Sequence, residues 1–115
     1  IAYHDFEGIT VMDDEKPRLV KSLEDKNILI LRNHGLLVGG RSIPEAFQTM
    51  WGLQRACEVQ VATDASGKTP IPINDEVLGK TAQLMNLQAM GGPAGGLEFD
   101  ALTRVIAKID PSYKD

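Results

Sequence analysis

The sequence predicts an α/β chain, and three observations carry that expectation. Residues 28–31 read Ile-Leu-Ile-Leu and residues 36–38 read Leu-Leu-Val, two short aliphatic runs without the alternation of a half-exposed strand. Ser42-Ile43-Pro44-Glu45 has the S-x-x-E form of a helix capping box, and apolar residues recur behind it at spacings of three and four. The 115 residues are 43% hydrophobic and 24% charged, an ordinary globular composition that excludes disordered and collagen-like chains.

Taken in order, residues 6–11 are short, apolar and β-branched, which predicts a first strand. Met12-Asp13-Asp14 follows, with acidic residues suited to a helix start, and Leu19, Val20 and Leu23 share one face of a helix expected over 14–24. Pro17 falls in its first turn, where the missing N–H has no partner to lose. Residues 28–31 form a strand buried on both faces, and Arg32-Asn33-His34-Gly35 turns the chain into its hairpin partner, with Gly35 free to adopt a positive φ.

The capping box then opens a helix to about residue 64, whose stripe of Ala46, Met50, Leu53, Cys57 and Val61 is widened by Phe47, Trp51, Val59 and Ala62. So broad an apolar surface is expected to cross a large sheet or meet a second subunit. Pro70 and Pro72 mark a surface connection, and Asn74-Asp75 starts a helix carrying Leu78, Thr81, Ala82 and Met85 on one face, broadened by Leu84 and Leu87. After the glycine-rich break 91–96, Leu97, Ala101, Leu102, Val105, Ile106 and Ile109 make a last amphipathic helix that Asp110-Pro111 stops.

Twelve Lys and Arg against sixteen Asp and Glu leave a net charge of −4, so no positive field gathers phosphate backbones and nucleic acid is not an expected partner. No aliphatic run approaches the ~20 residues that span a bilayer, and no basic start leads into an apolar segment, so neither a membrane nor a secretory route is expected. Cys57 is a lone cysteine, which rules out an internal disulfide or a Cys-built zinc site and points to a reducing, cytoplasmic setting. Ile1 is not an initiator Met, and the expectation is that an upstream segment is missing from this chain.

Few residues are candidates for chemistry. His34, flanked by Asn33 and Gly35 at a strand end, projects from rigid backbone, and reads either as a ligand or catalyst or as a turn histidine bonded to backbone. His4 and Asp5 are adjacent, and on a strand they point to opposite faces and do not pair. Glu7 reads as a solvated strand carboxylate, and Asp13-Asp14-Glu15 as helix capping with a weak capacity for a hard cation. Trp51 and Cys57 read as packing residues. Gly67-Lys68-Thr69 is not a phosphate loop, because Ala62 stands where the first glycine belongs and no helix follows.

Several separated strings nevertheless resemble one family, the class II aldolase/adducin superfamily: Tyr3-His4-Asp5-Phe6-Glu7-Gly8-Ile9, then 26–37 with its Asn33-His34-Gly35 turn, then Glu45-Ala46-Phe47 and 53–60. The likeness spans about the first 65 residues, in the order of the family's C-terminal half, and the first string is similar to the adducin-like branch; the ending Asp110-Pro111-Ser112-Tyr113 is similar to that of bacterial members. The resemblance implies a three-layer α/β/α fold with a central, mainly antiparallel sheet, of which residues 1–115 are the C-terminal portion of a single domain.

It also implies a tetramer of identical chains and a divalent metal, usually zinc, held by three histidines, two from an H-x-H motif in the N-terminal half and a third matched here by His34. Three neutral imidazoles leave open positions for a substrate oxygen, which suits retro-aldol or decarboxylation of a small hydroxylated carbonyl compound through a stabilised enediolate. No H-x-H motif occurs in this chain. The alternative is an adducin-like domain that keeps the fold for assembly or binding.

Overall fold

A computed structural model of the chain describes residues 1–8, 13–90 and 95–114, the side chains of 86–90 excepted. It is a mixed helix and sheet structure in two compact units, Ile1–Arg41 and Ser42–Asp115. The first unit holds strand β1 (Ala2–His4), helix α1 (Glu15–Leu23) and the hairpin strands β2 (Ile28–Leu31) and β3 (Gly35–Val38).

The aliphatic run becomes the middle strand of a three-stranded sheet ordered β1-β2-β3. One pairing is parallel, with Ala2 beside Leu29 and His4 beside Leu31, and the other antiparallel, with Leu29 beside Leu37 and Leu31 beside Gly35. Period-2 alternation sets Ala2, His4, Leu29 and Leu31 on one face, under α1, and Tyr3 on the other. Leu29 is fully buried, Ala2 and His4 are buried, and Tyr3 stays exposed with the Arg32 guanidinium 5.2 Å from its ring centre.

The first strand is therefore not where local propensity predicts it. Phe6, Glu7 and Gly8 lie outside any strand, residues 9–11 fall outside the described residues, and the pairing segment is Ala2–His4. Its short Ala-Tyr-His sequence has little β preference of its own, and the ladder to β2, some 27 residues on in sequence (Leu29 against Ala2), recruits it.

The hairpin is present as expected, but the left-handed residue is Asn33 at φ 57°, not Gly35. Asparagine tolerates that region, and His34 N–H donates to the Leu31 carbonyl at 3.1 Å to close the turn. Helix α1 begins without a side-chain cap from Asp14, and Val20, expected on its buried face, is 70% exposed. Leu19 and Leu23 are the half-buried members of that stripe.

The second unit holds α2 (Ile43–Ala65), α3 (Asp75–Met90), α4 (Gly96–Ile109) and a 3-10 turn at Ser112–Lys114. The Ser42 hydroxyl accepts the Glu45 N–H at 3.3 Å, as the capping-box pattern predicts, and the Asn74 side-chain oxygen accepts the Glu76 N–H at 2.8 Å. Helix α4 packs on α2, with Phe47 and Phe99 edge to face at 5.5 Å between centroids. Of the broad α2 stripe Leu53 is buried and Cys57 half-buried, whereas Trp51, Val59 and Val61 are exposed. The glycine-rich break expected over 91–96 falls mostly outside the described residues, as does the side chain of Leu87.

Candidate functional site

The first unit gathers its polar chemistry at the C-terminal end of β1. Because alternation turns His4 inward, its imidazole is 7% exposed, and Nδ1 lies 2.9 Å from the Ser22 hydroxyl on α1. The other ring nitrogen, Nε2, is buried without a hydrogen-bond partner. It faces two carboxylates, Glu7 Oε1 at 3.5 Å and Glu15 Oε1 at 3.7 Å. Glu7 comes from the segment that leaves β1, and Glu15 is the first residue of α1, with a side chain only 12% exposed.

Arg18, one turn into α1, fixes this arrangement from outside. Its Nε donates to Glu7 Oε2 at 2.8 Å, Nη2 to the same oxygen at 2.6 Å, and Nη1 to the Asp14 carbonyl at 2.9 Å. These hydrogen bonds hold the Glu7 carboxyl below its ordinary range; burial opposes them, and the Arg18 charge assists. A carboxyl whose folded value is depressed contributes stability above its unfolded value, and that contribution is lost as pH falls through the folded one. Arg18→Met is accordingly expected to weaken the protein against urea at neutral pH, with the deficit vanishing below the carboxylate range. A deficit that persists unchanged at acid pH would assign it to lost packing instead.

A cavity of about 20 Å³ opens beside His4, Glu7 and Glu15 and is also bordered by Phe6 and His34. His34 itself is exposed at the hairpin turn, its ring stacked on Phe6 at 6.3 Å and 23°. That stack packs one face of the imidazole against Phe6. The one group of described side chains with the spacing of metal ligands is His4, Glu7 and Glu15, which does not include His34.

The other sequence candidates lie apart from this cluster. Asp5 points away from His4, as strand geometry requires, and its carboxylate is 3.2 Å from Arg32 Nε. Asp13 pairs with Lys16 at 2.7 Å, so the acidic run divides, with Glu15 alone turned inward. Sequence reading missed the partnership of His4 with Glu7, Glu15 and Ser22, since a separation of 18 residues between His4 and Ser22 leaves no local motif. The available signal was a histidine at a buried-parity position of a strand.

The family model described as Class II Aldolase and Adducin N-terminal domain matches residues 1–61. A Pseudomonas aeruginosa relative named after the class 2 aldolases is 38% identical over 116 residues, which cover 99% of this chain and 45% of that protein. Alpha-adducin of Rattus norvegicus is 49% identical over 71 residues, 61% of this chain and 10% of that one. The crystal structure of an aldolase II superfamily protein from Pseudomonas syringae superposes with a TM-score of 0.83 at 38% identity, covering 99% of this chain and 45% of that one. The chain thus spans less than half the length of the relatives it matches.

Proposed function

The chain belongs to the class II aldolase/adducin family, and from that premise we propose that it is the C-terminal portion of a single three-layer α/β/α domain, with a mainly antiparallel sheet, of a metal-dependent lyase. The substrate class is a small hydroxylated carbonyl compound, cleaved by retro-aldol or decarboxylation chemistry in the cytoplasm by a tetramer of such chains. His34 is one of the ligands of a divalent metal, zinc by the chemistry of imidazole donors.

The observation that carries this reading is the placement of His34. The β2–β3 ladder holds the turn, the αL conformation of Asn33 sets the direction in which the chain leaves it, and Phe6 restricts the ring. A ligand so held needs little reorganisation on binding. The metal, when bound, supplies Lewis acidity toward the charge that develops on a substrate oxygen. Histidine ligands from elsewhere in the protein complete the set, since one imidazole does not hold a zinc ion by itself.

The identity with alpha-adducin over 71 residues favours a second reading, a domain of the same fold that serves assembly or binding. His34→Ala in the full-length protein separates the two. The lyase reading expects zinc affinity at this centre to fall by at least ~100-fold, because even outer-shell losses cost 10 to 100, with carbonyl-substrate cleavage falling alongside it. Unchanged zinc affinity at that centre would overturn the assignment of His34, and a wild-type protein that neither cleaves nor loses zinc on this substitution would belong to the adducin-like class.

A further inference from the structure

We infer that His4, Glu7 and Glu15 form a second divalent-cation site, separate from the centre to which His34 contributes, and that it takes a transition-metal dication of the zinc class. Two independent observations meet here. The three side chains bring one ligand atom each within 4.8 Å of one another. Nε2 of His4, on a side chain 93% buried by its 7% exposure, has no hydrogen-bond partner and is aimed at both carboxylates.

A buried polar atom without a hydrogen bond costs free energy, and an ion bound at Nε2 would offset that cost. A proton shared with a carboxylate would be the simple alternative, yet a charge-assisted N–H···O bond runs at about 2.7–2.9 Å. The observed separations of 3.5 and 3.7 Å exceed that range. Two ligand atoms each about 2.1 Å from a tetrahedral zinc lie about 3.4 Å apart, which is close to both distances. The adjoining cavity of about 20 Å³, which His34 also borders without belonging to the ligand group, has room for one ion or water.

The surroundings suit such an ion. With Ser22 Oγ 2.9 Å from Nδ1, an Nδ1–H donating to it leaves the Nε2 lone pair free, the tautomer a metal ligand requires. Arg18 orients the Glu7 carboxylate as a positioning residue, and Asp14 Oδ2 lies 3.4 Å from Arg18 Nη1. Glu7 and Glu15 together offset the charge of one dication, while the Arg18–Asp14 pair lies toward solvent. One imidazole and two carboxylates favour zinc, iron(II) or manganese(II) over calcium, which prefers an all-oxygen shell.

The test is zinc titration of the metal-stripped full-length protein, its His34→Ala and Glu15→Gln variants and the double variant. The expected result is that Glu15→Gln removes one zinc per chain or weakens it at least ~100-fold, whether or not His34 has been changed. Zinc binding identical in the wild type and Glu15→Gln would overturn the site. So would loss of all zinc in His34→Ala alone. If His34→Ala leaves the zinc count untouched while Glu15→Gln lowers it, this site stands and the assignment of His34 fails. Should Glu15→Gln not fold, cobalt(II) bound to the His34→Ala protein decides: X-ray absorption showing one nitrogen among oxygens supports the site, and several nitrogens or no bound cobalt refutes it.

Discussion

Leu29→Ala is expected to lower the stability of the protein by about 3 kcal/mol, toward the lower end of measured costs for buried leucines. Leu29 is the one large side chain among the described residues that is fully buried. It sits at the centre of β2, with Ala2 on one side, Leu37 on the other and α1 across the face. Small Ala2 beside it and the half-buried side chains around it allow some collapse, which argues against the upper end of the range near 5 kcal/mol. Urea unfolding followed by circular dichroism checks the value. Val20→Ala, at a position 70% exposed, serves as the control and is expected to change stability by less than about 0.5 kcal/mol. A cost for Leu29→Ala below about 1 kcal/mol would mean that this face is not the core of the first unit.

That core explains what was legible in the sequence and what was not. The strand Ile28–Leu31 and the hairpin turn were readable because a run of four aliphatic residues and an Asn-containing turn act locally, through hydrophobic periodicity and backbone preference. The start of α2 was readable for the same reason, since a capping box is a contact within four residues. β1 was misplaced because a three-residue strand draws its stability from the ladder to β2, and no local propensity reports a partner that far along the chain. Candidate residues divide along the same line. His34 stands out in the sequence through its turn, whereas the group His4, Glu7, Glu15 and Ser22 meets only once β1 has paired and α1 has folded over it. Glu15 reads as one acid in a run of three until the helix start turns it toward the sheet and leaves Asp13 and Asp14 in solvent.

In the second unit Gly95→Ala is expected to destabilise by about 2–5 kcal/mol, and two causes add there. Gly95 precedes α4 with φ at 76°, a left-handed conformation that costs a residue bearing Cβ about 1–2 kcal/mol. A Cβ at that position would also lie 2.6 Å from the Pro44 carbonyl oxygen and 2.7 Å from Gln48 Cβ, both on the first turns of α2. Backbone at that distance does not rotate aside, so the start of α4 must move off α2, at the roughly 1–3 kcal/mol typical of overpacking. The Phe47–Phe99 contact lies beside this point of approach and would loosen with it. Gly67→Ala separates the causes, because Gly67 has φ at 67° but nothing within 4 Å of an added Cβ. It carries the conformational cost alone, about 1 kcal/mol, so the excess in Gly95→Ala measures how closely α4 seats on α2. Equal costs at the two glycines, read from urea midpoints at unchanged slope, would show that the helices tolerate a methyl group between them and that their approach is looser than a 2.6 Å contact requires.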